Sequence, residues 1–212
     1  MTRTAVARVN EFPHDSAGLP CTAKFILPVV RAEIENLPAR SVVADAGCGN
    51  GSMLGELREY GFELHGLEVS ESGLAQAKKA YRGIEFSYAD LMADLSYHPL
   101  AGKCDAVIST EVVEHVFLPR IFARNCYRLL KPRGKLILST PYHGYLKNMA
   151  LALTGKLESH FTVLWDYGHI KFWSRRTLGI LLEETGFKVV GFHGAGRMPF
   201  LWKSMILVAM KP

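Results

Sequence analysis

Cysteine is scarce in this sequence, and the few cysteines are not paired. The 212 residues include four, Cys21, Cys48, Cys104 and Cys126, with no C-x-x-C spacing among them. This excludes a disulfide-rich scaffold, and three of the four lie in or beside apolar segments typical of a protein core. We therefore expect reduced thiols, as is usual in the cytoplasm.

Long hydrophobic runs are absent as well. No apolar stretch approaches the roughly 18 residues that predict a membrane-spanning helix, and the longest, residues 205–210, is typical of a strand. The N-terminal residues lack the continuous apolar segment of a secretory signal. With 49% hydrophobic and 21% charged residues, the composition also differs from that of disordered or collagen-like chains. The sequence predicts one soluble, cytoplasmic domain.

Acidic residues are rare in the second half of the chain. Residues 1–116 contain 10 basic and 16 acidic side chains, whereas residues 117–212 contain 15 basic and 4 acidic ones, so the two parts carry formal charges of −6 and +11. Such asymmetry indicates either an anionic partner or a solvated basic face. Part of the excess follows helical spacing, as expected of a solvent-facing surface, at Arg120, Arg124, Arg128 and Lys131. Only the basic cluster within residues 171–176 then favours an anionic substrate.

Strand-like and helix-like segments alternate from residue 41 onward. Seven short apolar runs predict strands at 42–46, 63–68, 84–88, 106–109, 135–140, 188–192 and 204–210. Apolar residues at helical spacing predict helices at 52–60, 71–81, 119–130 and 175–185. Repeated βα units of this kind predict an α/β fold of the Rossmann-like, doubly wound type, with a seven-stranded, mostly parallel sheet and helices on both faces.

Two further segments lie outside this regular alternation. Residues 1–40, with a predicted helix at 25–36, are expected to form an N-terminal helical cap, and residues 41–212 the main domain. Residues 141–173 are too long for an ordinary connection and predict a substrate insertion. Within the insertion, an apolar stripe with Lys147 and Lys156 on its opposite side predicts an amphipathic helix, through Leu146, Met149, Ala150, Leu153 and Leu157. Such a helix either packs into the core, covers an apolar substrate or makes peripheral contact with a membrane surface.

Three glycines directly follow the first predicted strand, in the run DAGCGNG at residues 45–51. In an open α/β sheet, ligands bind outside the carboxyl ends of the strands, where glycine lets the backbone approach them closely. The G-x-G-x-G spacing differs from the G-x-G-x-x-G that seats a pyrophosphate, and an anionic Asp45 suits a ligand with a cationic amino group. At the end of the second strand, Glu68 stands where a carboxylate accepts the hydroxyl hydrogens of a ribose. Asp90 follows the third strand in a similar position.

A second group of polar residues follows the fourth predicted strand. If this segment begins a helical turn, Glu111, Glu114 and His115 share one face, because they stand at positions i, i+3 and i+4. Two carboxylates and an imidazole are suited either to a divalent metal ion or to general base catalysis. His169, late in the insertion, lies where the chain returns over the same edge of the sheet.

The glycine loop and the two strand-end acids resemble those of class I S-adenosylmethionine-dependent methyltransferases. The resemblance covers residues 41–212 and implies that the chain is an enzyme of this class. Gly47, Gly49 and Gly51 would line the methionine end of the cofactor, Asp45 would lie near its amino group and Glu68 would hold the ribose. The full set of implied cofactor-binding residues is Asp45, Ala46, Gly47, Cys48, Gly49, Gly51, Glu68, Val69, Ala89, Asp90, Leu91 and Thr110.

The E-x-x-E-H segment followed by the H-x-x-x-W-[ST]-R pattern resembles the small-RNA 3′-terminal 2′-O-methyltransferases. The run Ser139-Thr140-Pro141, with a later histidine and a basic-aromatic pair, resembles the ubiquinone-biosynthesis O-methyltransferases, which also contain an E-x-x-E-H segment. Both subfamilies bind a divalent ion. The resemblance implies that a divalent ion, Mg²⁺ or Mn²⁺ among others, is bound by Glu111, Glu114, His115 and His169. Two departures stand against a full match: residues 1–40 lack the basic, aromatic segment of the quinone enzymes, and Tyr142 replaces the asparagine that follows Thr-Pro in the RNA enzymes.

These observations predict an O-methyltransferase that acts on a small hydroxylated molecule, aromatic or lipid-linked. His115 or His169 would be the catalytic base, unless a metal ion activates the hydroxyl. Two alternatives remain open: methylation of RNA at the ribose 2′-hydroxyl, and a non-catalytic regulatory subunit that binds S-adenosylmethionine. A small-molecule partner is favoured over nucleic acid, because the aromatic residues of the insertion are suited to an apolar pocket.

Overall fold

The computed structural model describes residues 18–161 and 163–212 of the chain. Its strands are β1 (Val42–Ala46), β2 (Glu63–Glu68), β3 (Glu85–Tyr88), β4 (Cys104–Thr110), β5 (Leu130–Pro141), β6 (Lys188–Ala195) and β7 (Ser204–Met210). Its α-helices are α1 (Ala23–Ile34), α2 (Ser52–Gly55), α3 (Glu71–Ala80), α4 (Pro119–Leu129), α5 (Tyr145–Leu153), α6 (Leu157–Phe161) and α7 (Arg175–Glu184). A 3₁₀-helix spans Arg58–Tyr60.

The seven strands form one sheet in the order β3-β2-β1-β4-β5-β7-β6. Strands β1 to β5 pair in parallel, and β7 is antiparallel to both of its neighbours. The predicted α/β fold with a mostly parallel, seven-stranded sheet is therefore confirmed. The chain builds outward from β1 to β3 and then crosses to β4 on the other side of β1, so a crevice opens between the carboxyl ends of β1 and β4.

Helices cover both faces of the sheet because the strands are apolar on both faces. On one face, α1, α2 and α3 enclose a core that includes Ile26, Val30 and Leu54. On the other, α4 and α7 enclose a core that includes Phe122 and Leu182. Burial on both sides is typical of parallel sheets and explains why the strands are continuous apolar runs.

Several element boundaries differ from the predictions. The predicted helix at 52–60 ends at Gly55 and continues as the 3₁₀-helix, because the amide of Leu57 donates to the carbonyl of Leu54 at 3.0 Å, three residues back. Strand β5 begins at Leu130 rather than at residue 135, since Leu130 pairs with Cys104 before a register shift in which β5 contains the extra residues. Strand β6 extends to Ala195, where it pairs with Ser204 of β7. The other ends shift by three residues or fewer.

The insertion contains two helices where the sequence predicts one. Gly155, with φ of +67°, separates α5 from α6. The apolar stripe of α5 faces outward, with Leu146, Met149 and Leu153 exposed. Lys147, expected on the solvent side, instead points inward, because its ammonium donates to the carbonyl of Tyr142 at 2.9 Å. The polar groups beneath α5 therefore decide its orientation.

The N-terminal segment packs on the main domain as far as it is described. Residues 1–17 of the predicted cap lie outside the described residues. Helix α1, within the 1–40 segment, buries Ile26, Val30 and Ile34 against the sheet. The amide of Asn50 donates to the carbonyl of Gly18 at 2.9 Å, which brings residue 18 to the glycine loop.

Surface features agree with part of the composition analysis. Three of the four basic residues predicted on the α4 surface pair with acids, in the ion pairs Arg120–Glu184, Arg128–Asp94 and Lys131–Asp105. Cys48, Cys104 and Cys126 are buried thiols, and Cys21 is exposed. Across the described ranges, the helices are all too short or too polar to traverse a bilayer.

Candidate active site

The glycine loop connects β1 to α2 in a backbone conformation that favours glycine. Gly47 and Gly51 have φ angles of +83° and +76°. A Cβ atom at Gly47 would lie 2.6 Å from a methyl carbon of Val112, in the turn after β4. The glycine run therefore does two things: it allows left-handed turns, and it lets the loop contact the turn after β4 directly.

Glu68 holds this loop in place from the end of β2. One carboxylate oxygen accepts from the amide of Gly49 at 2.7 Å, and the other accepts from the amides of Val69 and Ser70, both at 2.8 Å. A carboxylate oxygen has more than one acceptor direction, so these bonds leave capacity for ligand hydroxyls. Sequence reasoning anticipated a ligand contact here but missed the structural role of this side chain.

Asp45 is buried beneath the loop and lacks a partner for one oxygen. Its side chain is 1% exposed, and Oδ1 makes no hydrogen bond with any residue that the structure describes. Burial, followed by the neighbouring Glu68 carboxylate, raises the pKa of Asp45 to about 8. A cationic group beside Oδ1 would supply both the missing hydrogen bond and the missing countercharge.

The remaining expected cofactor residues lie around the same crevice. The buried Ala46 carbonyl accepts from the Ser109 hydroxyl at 2.6 Å. Burial raises the pKa of the Cys48 thiol well above its ordinary value, which makes this thiol unreactive. Asp90 accepts from the amide of Met92 at 2.8 Å and so shapes the turn after β3. The other members are partly or fully buried at the carboxyl edge of the sheet: Val69, Ala89, Leu91 and Thr110.

Glu111 does not share a helical face with Glu114 and His115. The segment after β4 is a set of turns, and Glu111 has φ of +56°. Its carboxylate oxygens accept from the hydroxyls of Ser139 at 2.8 Å and Ser204 at 3.0 Å. Burial raises its pKa. The left-handed turn thus directs Glu111 toward β5 and β7 instead of toward the two predicted co-ligands.

Glu114, His115 and His169 form a compact group at this edge. Each offers one potential ligand atom, and these atoms lie within 4.8 Å of one another. The Glu114 side chain is fully buried; Oε2 accepts from the hydroxyl of Thr140 at 3.0 Å, and Oε1 has no partner. Burial and the Glu111 charge raise the pKa of Glu114 well above its ordinary value. Among the residues that the structure describes, this is the one group with metal-ligand spacing.

Backbone contacts from the insertion orient this group. Nδ1 of His115 lies 2.8 Å from the carbonyl of Tyr167, and a carbonyl can only accept, so Nδ1 carries the proton and Nε2 the lone pair. The amides of Ile170 and Lys171 donate to the carbonyl of Glu114 at 2.9 and 3.0 Å. The indole of Trp173 donates to the carbonyl of Val113 at 3.1 Å. The end of the insertion is therefore bonded directly onto the turn after β4.

Both histidines are held in the neutral state. Burial lowers the pKa of His115. Burial, followed by repulsion between a protonated His169 and the protonated forms of His115 and His160, lowers the pKa of His169 to about 4. The rings of His115 and His169 are 4.9 Å apart. With a pKa of about 4, the His169 imidazole is a weak proton acceptor at pH 7 but retains the lone pair that a metal ligand requires.

Comparisons with known proteins identify relatives of the whole domain. Residues 23–191 match the methyltransferase-domain family. The ubiquinone biosynthesis O-methyltransferase of Caulobacter sp. (strain K31) is 32% identical over 154 residues, which cover 69% of this chain and 60% of that protein. The enzyme of the same name from Pseudomonas paraeruginosa (strain DSM 24068 / PA7) is 33% identical over 104 residues, or 48% and 45% of the two chains. The matches thus span 45 to 60% of the length of these relatives.

Solved structures share the architecture at low sequence identity. An S-adenosylmethionine-dependent methyltransferase from Mesorhizobium loti has a TM-score of 0.67 at 20% identity, over 86% of this chain and 96% of that one. The [4+2]-cyclase SpnF has a TM-score of 0.70 at 18% identity, over 96% and 86%. These similarities concern the fold alone. Because the family match covers well over half of the sequence, the chain belongs to the methyltransferase-domain family and has the class I S-adenosylmethionine-dependent methyltransferase fold.

Proposed function

We propose that this protein transfers a methyl group from S-adenosylmethionine to a hydroxyl of a small molecule that is aromatic or lipid-linked. One observation carries the proposal: two buried carboxylates with unpartnered oxygens, Asp45 and Glu114, lie at the same edge of the sheet. The first is suited to a cationic donor and the second to activation of an acceptor. The names of the curated relatives, ubiquinone biosynthesis O-methyltransferase, support a hydroxylated small-molecule acceptor.

The residues of the glycine loop fit the cofactor. When bound, S-adenosylmethionine supplies an electrophilic methyl group on a sulfonium sulfur. Asp45 Oδ1 would accept from the amino group of the methionine portion, where a positive charge compensates the buried carboxylate. Glu68 would accept from the ribose hydroxyls while it continues to hold Gly49. Residues Ala89 to Leu91 would frame the adenine.

Glu114, His115 and His169 would hold a divalent cation. The unpartnered Oε1 of Glu114 and the two neutral imidazoles make a ligand set with two nitrogens and one oxygen. Nitrogen ligands favour Mn²⁺ over Mg²⁺. The cation would act as a Lewis acid that lowers the pKa of an acceptor hydroxyl. The low pKa of His169 makes this role more effective at pH 7 than direct proton removal.

The insertion supports an aromatic or lipid-linked acceptor. The ring of Trp165 lies 6.2 Å from that of His115 and 5.6 Å from that of His169, and Phe161 and Phe172 pack against each other and against His143. The outward apolar side chains of α5 add an exposed apolar surface beside the site, which suits peripheral contact with a lipid aggregate. In the basic cluster, Arg175 lies over the ring of Phe192 at 4.5 Å, so part of its charge is already engaged within the fold.

A methyl-transfer assay tests the proposal. Radiolabelled S-adenosylmethionine is incubated with catechol, 3,4-dihydroxybenzoate and a farnesylated catechol, using wild type, Asp45→Asn and the control Asp94→Asn. Asp94 is exposed and pairs with Arg128 on the surface. We expect transfer to at least one acceptor, a loss of about tenfold or more in Asp45→Asn, as for removal of a charged hydrogen bond, and no change in the control. Cofactor binding without transfer to any acceptor would instead favour the non-catalytic alternative.

A further inference from the structure

The side chain of His143 is buried without hydrogen-bond partners. It stands two residues after the end of β5, and only 8% of its surface is exposed. Among the described residues, neither Nδ1 nor Nε2 has a well-formed hydrogen bond, and the Asn148 side chain lies close enough to raise the pKa of the ring as a weak hydrogen-bond partner. Oδ1 of Asn148 is likewise buried without a partner. Such groups are rare in folded proteins because they lose water without replacing it, so a cluster of three unpartnered atoms calls for a physical reason.

Aromatic side chains surround this polar pair. The His143 ring is stacked on Phe161 at 6.0 Å and meets the edge of Phe172 at 5.2 Å. The His160 ring lies 5.7 Å away. His160 and Phe161 belong to α6, so this short helix covers the imidazole. The surroundings are therefore flat rings, apolar on the Phe161 and Phe172 sides, with the His160 imidazole on another side.

This place adjoins the candidate metal ligands. Thr140, three residues before His143 in the chain, donates to the carboxylate of Glu114. Lys147, His160 and His169 all lie near His143, and burial, followed by repulsion between a protonated His143 and these groups, lowers the pKa of His143 to about 4. The ring is thus neutral at pH 7, with one nitrogen that donates and one that accepts. A hydroxyl group can donate a hydrogen bond to the accepting nitrogen of such a ring or accept one from the donating nitrogen.

We infer that His143 and Asn148 form the acceptor-recognition subsite, in which they hydrogen-bond a second polar substituent on a flat ring packed against Phe161 and Phe172. The acceptor then carries one hydroxyl toward Glu114 and another oxygen-bearing substituent toward the imidazole. Entry of this ring requires displacement of α6, whose side chains cover His143 in the ligand-free protein. The identity of the ligand as a methyl acceptor rests on the proposed function. The presence of a ligand-binding subsite at His143 and Asn148 does not.

A stability measurement tests the subsite without any acceptor. In His143→Phe, an apolar ring of similar shape replaces the unpartnered imidazole, so the ligand-free protein should melt about 2–4 °C higher than wild type. The control is His193→Phe, since His193 is half-exposed on β6 and pairs with Glu33 of α1. A melting temperature that falls in His143→Phe would show that the imidazole is bonded within the fold, and the inference would be wrong.

Kinetics and ring-nitrogen NMR separate the subsite from the proposed function. With catechol as acceptor, His143→Phe should raise KM about tenfold, as expected for loss of one hydrogen bond, while kcat and cofactor affinity change less than twofold. Catechol added to wild type saturated with S-adenosylhomocysteine should shift the ¹⁵N resonances of His143. A shift without methyl transfer would refute the proposed function and support the subsite. Methyl transfer with an unchanged KM in the variant, or the absence of a shift, would refute the subsite.

Discussion

If Asp45 binds the amino group of S-adenosylmethionine, as proposed, cofactor affinity should depend on pH. Its pKa is about 8 in the ligand-free protein, because the carboxyl is buried and stands beside Glu68. At pH 7 most molecules therefore carry a protonated Asp45, and a cationic ligand binds the ionised form. Binding must release a proton, so the apparent affinity rises with pH as long as the pH stays below the pKa of this carboxyl.

The size of the effect follows from that pKa. The dissociation constant of S-adenosylmethionine should fall about ninefold from pH 6 to pH 7, and by about fivefold or less from pH 7 to pH 8. Above about pH 8, loss of the ligand's own amino proton opposes the trend. In Asp45→Asn the fall between pH 6 and pH 7 should disappear, and binding should be weaker at pH 8. Asp94→Asn, a change in an exposed side chain, should keep the wild-type profile.

Isothermal titration calorimetry at pH 6, 7 and 8 measures these constants, and buffers with different ionisation heats report the proton released. The stability of the ligand-free protein gives an independent check. Because the pKa of Asp45 is raised in the folded state, ionisation of this carboxyl lowers the stability of the fold as the pH rises from about 4 to 8. The variant Asp45→Asn should therefore become increasingly more stable than wild type over that range. A flat affinity profile in wild type would refute the assignment of Asp45 to the amino group.

Three further outcomes are expected. Dialysis against a chelator should lower methyl transfer about tenfold or more, with recovery on addition of Mn²⁺; Glu114→Gln should show no recovery, whereas Glu111→Gln should recover. Glu111→Gln should instead lower the free energy of unfolding, measured in a denaturant titration, by about 1 kcal/mol for each hydrogen bond from a serine hydroxyl that is weakened. Gly47→Ala should cost about 2 kcal/mol or more in the same titration, because of its positive φ and the contact with Val112, and wild-type stability in this variant would contradict the structure.

The fold and the glycine loop are predictable from the sequence because their signals are local. Each strand is a continuous apolar run, and the loop follows the first strand without a gap. Any parallel sheet then brings Asp45, Glu68 and Asp90 to one edge, since each follows or ends a strand. The residual errors in this region are boundary shifts, such as the early end of α2 at Gly55, which depend on local hydrogen bonding.

The metal-ligand set and the insertion are less predictable because they depend on tertiary contacts. A helical turn after β4 is a reasonable expectation for an E-x-x-E-H segment, but the left-handed backbone at Glu111 turns its carboxylate toward two hydroxyls of β5 and β7. Likewise, the apolar stripe of α5 suggests an inward face, yet the carbonyl of Tyr142 attracts Lys147 to that side. The hydroxyls that donate to Glu111 come from distant segments, and the carbonyl that accepts from Lys147 lies outside the helix.

The buried polar atoms without a hydrogen bond support the proposed function more specifically than either motif does. Within the described ranges, six buried side-chain atoms lack a hydrogen bond, and five of them belong to Asp45, Glu114, His143 and Asn148. All four residues lie at the carboxyl edge of the sheet or in the helix after β5. Each unpartnered atom lowers the stability of the ligand-free protein. In the proposed function, a ligand would complete each of these groups. Asp45 is suited to the donor, Glu114 to activation of the acceptor hydroxyl and His143 to recognition of the acceptor, so the unpartnered atoms trace a path from donor to acceptor.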